Sequence, residues 1–122
     1  MRRPRERVRA WKLFYGLLLF SGNDDAAALA LATAGSRNAF VARMNAEAAR
    51  LGMRDTQCIN PNGLPGKGQY TTARDLAVLS VALRREFPQY AGYFALEGFT
   101  NGVKQVPNIN MLIGRFDGAD GM

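Results

Sequence analysis

At 122 residues the chain has room for one domain, which by size scaling would bury roughly two-thirds of its unfolded surface. Its 48% hydrophobic and 21% charged content is that of a folding chain and argues against intrinsic disorder. The formal charge of +6 belongs to the first dozen residues, where Arg2, Arg3, Arg5, Arg7, Arg9 and Lys12 are set against a single Glu6; residues 13–122 carry ten basic and nine acidic side chains, which excludes a domain-wide basic face for nucleic acid.

Two further absences narrow the chemistry. The chain has no histidine, which removes Ser-His-Asp and Cys-His arrangements and the commonest zinc sites, so neither a metal nor a cofactor is expected. Cys58 is the sole cysteine, so no internal disulfide can form, and a small buried residue rather than a reactive thiol is expected there.

In chain order, residues 1–12 read as a basic segment outside the fold and residues 13–122 as the domain. The positive start, the apolar run Leu13–Phe20 and the small residues Ala32-Thr33-Ala34 have the outline of a secretory signal. Asp24 and Asp25 interrupt that outline, and the run is far short of the roughly twenty apolar residues of a membrane span. A buried or amphipathic helix ending at Phe20 is expected instead.

Alanine richness from Asp24 to Ala34 predicts a second helix, stopped by Gly35. Ser36 is placed to cap a third over Arg37–Leu51, with Phe40, Met44, Ala48 and Leu51 along one face, and Gly52 ends it. Met53 to Tyr70 is irregular, broken by the turn formers Asn60-Pro61-Asn62-Gly63 and Pro65-Gly66. Thr72 and Asp75 stand at capping-box spacing before a helix with Leu76, Leu79, Leu83 and Phe87 on its core face, stopped by Pro88. In this reading Arg74 and Asp75 belong to the helix surface and its cap. Gln89 to Leu96 adds a short helical turn. Phe99-Thr100, Asn101-Gly102 and Val103-Lys104 then predict a hairpin with a two-residue type I′ turn. A hairpin cannot cover its own apolar face, which points to a segment of a larger α+β fold.

Taken alone, Ser21-Gly22-Asn23-Asp24 before a helix is a capping tetrad with Ser21 as N-cap. Its surroundings suggest more. Tyr15-Gly16-Leu17-Leu18-Leu19 precedes it, and Ala26-Ala27-Ala28 and Phe40-Val41-Ala42-Arg43-Met44-Asn45 follow. Further on come Ala48 to Met53, Asp55-Thr56, Asn60-Pro61-Asn62-Gly63-Leu64, Tyr70 to Leu76 and Gly118 to Met122. In this order and spacing, over residues 8 to 122, the set resembles low-molecular-weight penicillin-binding proteins, the D-alanyl-D-alanine carboxypeptidases of serine peptidase family S11.

The resemblance implies an α+β fragment of the β-lactamase and penicillin-binding-protein transpeptidase fold, mainly helical with a C-terminal β-hairpin. It implies serine acyl transfer on peptidoglycan stem peptides ending in D-Ala-D-Ala, through an acyl-enzyme that β-lactams trap. Residue by residue, Ser21 becomes the proton-relay serine and Asn23 the side chain that holds the substrate amide. Position 62, where the family often carries histidine, is asparagine. A periplasmic or cell-envelope setting, near the membrane, goes with the family.

The sequence also departs from the pattern. Ser21, Ser36 and Ser80 are its only serines and none begins Ser-x-x-Lys, so no nucleophile is present; Lys12, Lys67 and Lys104 are its only lysines and none begins Lys-Thr-Gly. The chain therefore reads as truncated and, by itself, inactive. Two rival readings stand beside this one. The first is a small non-enzymatic helical protein whose basic N-terminus binds membrane or nucleic acid. The second is a muropeptide-binding remnant without catalysis.

Overall fold

A computed structural model describes residues 7–121. Its elements are helices α1 (Ala10–Phe20), α2 (Asn23–Ala34), α3 (Arg37–Arg50) and α4 (Ala73–Glu86), a 3₁₀ turn (Pro88–Tyr93), and strands β1 (Gly98–Thr100) and β2 (Gln105–Pro107). This is the mainly helical α+β arrangement with a C-terminal hairpin that the sequence predicts. Arg2, Arg3 and Arg5 of the basic segment lie outside the described residues, whereas Ala10, Trp11 and Lys12 already belong to α1. The chain divides into two compact units, one formed by residues up to Leu29 with those from Gln89 onward, the other by Ala30–Pro88.

In the first unit α1 buries Leu13, Gly16 and Leu19, and Leu19 is fully enclosed. Leu19 packs with Phe99 of β1 and Val106 of β2, flanked by Tyr15, Leu18 and Leu96. Each such burial stabilises by about 1.5–3 kcal/mol. The helix thus supplies the cover that two strands cannot make for themselves. Tyr15 adds edge-to-face contacts with Phe99, ring centroids 5.7 Å apart, and with Tyr93 at 5.1 Å.

The hairpin differs from expectation in its loop. Phe99 pairs with Val106 and Thr100 with Gln105, so four residues, Asn101 to Lys104, form the connection and Val103 and Lys104 are not strand. A type I′ turn needs positive φ at Asn101 as well as Gly102, but Gly102 alone of the two adopts it. Asn101 instead turns its side chain inward: Oδ1 accepts from the Val103 and Lys104 amides, both at 3.0 Å.

In the second unit the predicted caps are present. Ser36 Oγ accepts from the Ala39 amide and Thr72 Oγ1 from the Asp75 amide, each at 3.1 Å. The irregular segment is tied down at several points. Asn45 of α3 donates Nδ2 to the Cys58 carbonyl and accepts the Cys58 amide at Oδ1, both at 2.8 Å, completing a strand-like pair with one side chain. Gln57 and Tyr70 exchange backbone bonds of 2.9 and 3.1 Å as an isolated antiparallel bridge.

Asp75 overturns the reading of a surface cap, because its side chain is fully buried. The carboxylate accepts from the Asp55 amide (2.9 Å), Thr56 Oγ1 (2.8 Å) and Arg74 Nη1 (3.1 Å). The stripe on α4 is also less covered than predicted: Leu79 and Leu83 are half-buried, while Leu76 and Phe87 stay about half exposed at 48% and 47%. Two helices and an irregular segment offer too little apolar surface to close over it.

Candidate active-site groove

The Ser21-Gly22-Asn23 turn joins α1 to α2, and the local bonds explain its shape. Ser21 closes α1 in the left-handed region, φ 56° and ψ 44°, the one non-glycine residue with positive φ among the described residues. Its amide donates to the Leu17 carbonyl (3.1 Å), the Gly22 amide to Gly16 (2.9 Å) and the Ile109 amide to Leu19 (2.8 Å). Two of the four carbonyls left open at the helix end, those of Leu17 and Leu19, are thereby satisfied. The Gly22 carbonyl accepts from the Ala26 amide at 3.0 Å, which makes Gly22 the residue that opens α2. The tetrad reading is thus displaced by one residue: Ser21 ends one helix rather than starting the next. Asp24 and Asp25 lie in the first turn of α2, where the helix dipole favours negative charge.

Left-handed backbone is costly for an L-residue, about 1–2 kcal/mol, and persists where the surroundings over-determine it. Here it turns the chain so that Ser21 and Asn23 are both exposed, lining one wall of an open groove of about 620 Å³. The opposite wall comes from the hairpin, with Asn101, Lys104 and Gln105. Within the other unit a shallow depression of about 650 Å³ is lined by Asn45, Met53 and Cys58. Burial pushes the Cys58 thiol above its ordinary range, which favours the neutral thiol over the thiolate. No cluster of three or more metal-ligating side chains occurs among the described residues.

The groove is lined by a hydroxyl (Ser21), carboxamides (Asn23, Asn101 and Gln105), an ammonium (Lys104) and the carboxylates of Asp24 and Asp25. These groups can hold a peptide and pass protons, but a serine without an adjacent base is a poor nucleophile. The sequence points to Ser21 and Asn23 but not to the hairpin, because no local motif marks Asn101, Lys104 or Gln105 as facing the turn. At position 62, Asn62 Oδ1 is buried without a hydrogen-bond partner, which nothing in the structure explains.

The family model for D-alanyl-D-alanine carboxypeptidases of peptidase family S11 matches residues 1–122. The chain belongs to this family. Among similar family members, the carboxypeptidase DacA of Escherichia coli (strain K12) is 38% identical over 111 residues, covering 90% of this chain and 28% of that protein. DacB2 of Mycobacterium tuberculosis is 39% identical over 124 residues, 98% of this chain and 42% of that one. The crystal structure of penicillin-binding protein 6B from Escherichia coli superposes with a TM-score of 0.89 at 34% identity, over 95% of this chain and 37% of that one. Penicillin-binding protein D2 of Listeria monocytogenes in its cefotaxime-bound form follows at 0.83 and 28% identity, over 97% and 49%. The chain therefore spans about 28% of the length of the Escherichia coli DacA it matches. The rival reading of a small membrane- or nucleic-acid-binding helical protein receives no support from these relatives.

Proposed function

We propose that this chain forms part of a serine-type D-Ala-D-Ala carboxypeptidase site, with Ser21 as proton relay and Asn23 holding the amide of a peptidoglycan stem peptide. The observation that carries the reading is the Ser21-Gly22-Asn23 turn, with Ser21 in left-handed backbone, on the wall of an open groove of about 620 Å³. In the reaction a serine oxygen attacks the carbonyl of the penultimate D-alanine, the terminal D-alanine leaves with a proton, and water then cleaves the acyl-enzyme. Ser21 passes that proton, Asn23 orients the scissile amide, and Lys104 adds positive charge beside a substrate ending in a carboxylate. β-Lactams would enter the same groove, a reading supported by the cefotaxime- and ampicillin-bound forms of the Listeria monocytogenes protein. Such a substrate implies a periplasmic or cell-envelope location.

The attacking serine is not among these 122 residues, since no Ser-x-x-Lys occurs in the sequence. The isolated chain therefore holds substrate weakly and does not turn it over. Purified chain incubated with a fluorescent penicillin should stay unlabelled, and a label mapped to any of its serines would refute inactivity. Titration with an acyl-D-Ala-D-Ala peptide, followed by amide NMR, should move Ser21, Gly22 and Asn23 weakly and saturably. Asn23→Ala should abolish those shifts; their absence in the unmodified chain would remove the substrate-holding role.

A further inference from the structure

Gly16 and Asp25 need a joint explanation. Gly16 lies in the middle of α1, where glycine costs about 1 kcal/mol relative to alanine, yet it is buried. A methyl group on its Cα would overlap Asp25 Oδ2 and stand 2.7 Å from Asp25 Cγ. A methyl group on Gly22 would meet the same carboxylate, overlapping Oδ2 and standing 3.0 Å from Cγ. Asp25 is itself 9% exposed, with its carboxylate lodged against the middle of α1 at Gly16 and against the turn at Gly22.

We infer that Asp25 is the positioning residue of the Ser21–Asn23 turn. It sits in the first turn of α2, where the dipole favours its charge, and seats its carboxylate against Gly16 of α1 and Gly22 of the turn. Ser21 lies between the two glycines' ends of this clip. The left-handed backbone of Ser21 is thereby held from both sides, together with the Gly22 amide bond to the Gly16 carbonyl. Gly16 and Gly22 are glycines because the carboxylate occupies the space a side chain would need. The catalytic weight of the turn rests on the function proposed above; the geometry of the clip does not.

The test uses the full isotope-labelled chain without ligand. The three-bond HN–Hα coupling of Ser21 reports its φ, and hydrogen exchange of the Gly22 amide reports the bond to Gly16. Asp25→Ala should move the Ser21 coupling toward the right-handed value and speed Gly22 exchange about tenfold, with α3 and α4 amides unchanged. Gly16→Ala should disturb the same two readouts through steric overlap, and Gly16→Ala with Asp25→Ala should disturb them less than the two single effects combined. If Asp25→Ala unfolds the chain, Asp25→Asn is read instead, and a change confined to Ser21 and Gly22 still supports the clip. Unchanged coupling and exchange in whichever Asp25 variant folds, or additive effects in the double variant, overturn it. Failure of the peptide titration above would leave these readouts untouched.

Discussion

Thr56 Oγ1 donates to Asp75 Oδ2 across 2.8 Å, tying the segment after α3 to the first turn of α4. Burial by itself would push the Asp75 carboxyl up, but the bonds from Thr56, the Asp55 amide and Arg74 outweigh it and hold the group below the ordinary carboxylate value. A depressed folded-state pKa contributes stability above the unfolded value, about 3.9 for Asp, and loses it as pH falls through the folded value. Urea unfolding of the chain should therefore show stability falling below about pH 4. Asp75→Asn should flatten that fall and lower the melting temperature at neutral pH by on the order of 5 °C or more. A pH profile unchanged in Asp75→Asn would show that other carboxylates carry the acid sensitivity.

The paired bonds between Asn45 and Cys58 lead to a prediction about reactivity. Asn45→Ala leaves the Cys58 amide and carbonyl without their partner, at about 1–3 kcal/mol. The segment should open more often and alkylation of Cys58 should accelerate, on the order of tenfold. Asn45→Asp keeps the acceptor but sets a carboxylate against the Cys58 carbonyl, and should be no better than alanine. An alkylation rate equal to that of the unmodified chain would mean that the clamp does not control access to the thiol.

Leu19, Phe99 and Val106 form one cluster, so truncating any of them should loosen the hairpin from α1. Leu19→Ala is expected to cost about 2–5 kcal/mol and Phe99→Ala about 3–5 kcal/mol in chemical denaturation. Because these side chains touch, the double variant should cost less than the two single losses combined. Simple additivity would argue against a shared core.

Ser21 carries the clearest conflict between stability and function. Glycine adopts left-handed backbone freely, so Ser21→Gly should stabilise the chain by about 1 kcal/mol. The same change removes the hydroxyl proposed as proton relay, so better thermal stability with a lost function would mark Ser21 as kept for chemistry. A lower melting temperature in Ser21→Gly would instead show that the hydroxyl's own bonds outweigh the backbone strain.

The sequence by itself determined the four helices almost to their ends, because their signals are local. Ser36 and Thr72 reach amides three residues on, and Gly35 and Gly52 take up the left-handed backbone that follows α2 and α3. Family membership was legible too, since ordered motifs survive in any stretch of sequence that contains them. Tertiary structure alone decided the rest. Asp75 looks like half of a capping box until Asp55 and Thr56 arrive from some twenty residues away and bury it. Asn101-Gly102 signals a two-residue turn, but the register that seats Phe99 and Val106 against Leu19 lengthens the loop to four. Ser21 scores as a helix start, yet the bonds from Gly22 to Gly16 and from Ile109 to Leu19 make it a helix end. In each case the deciding partner is remote in sequence or set by packing, and hydrogen-bond satisfaction and side-chain burial then outweigh local propensity.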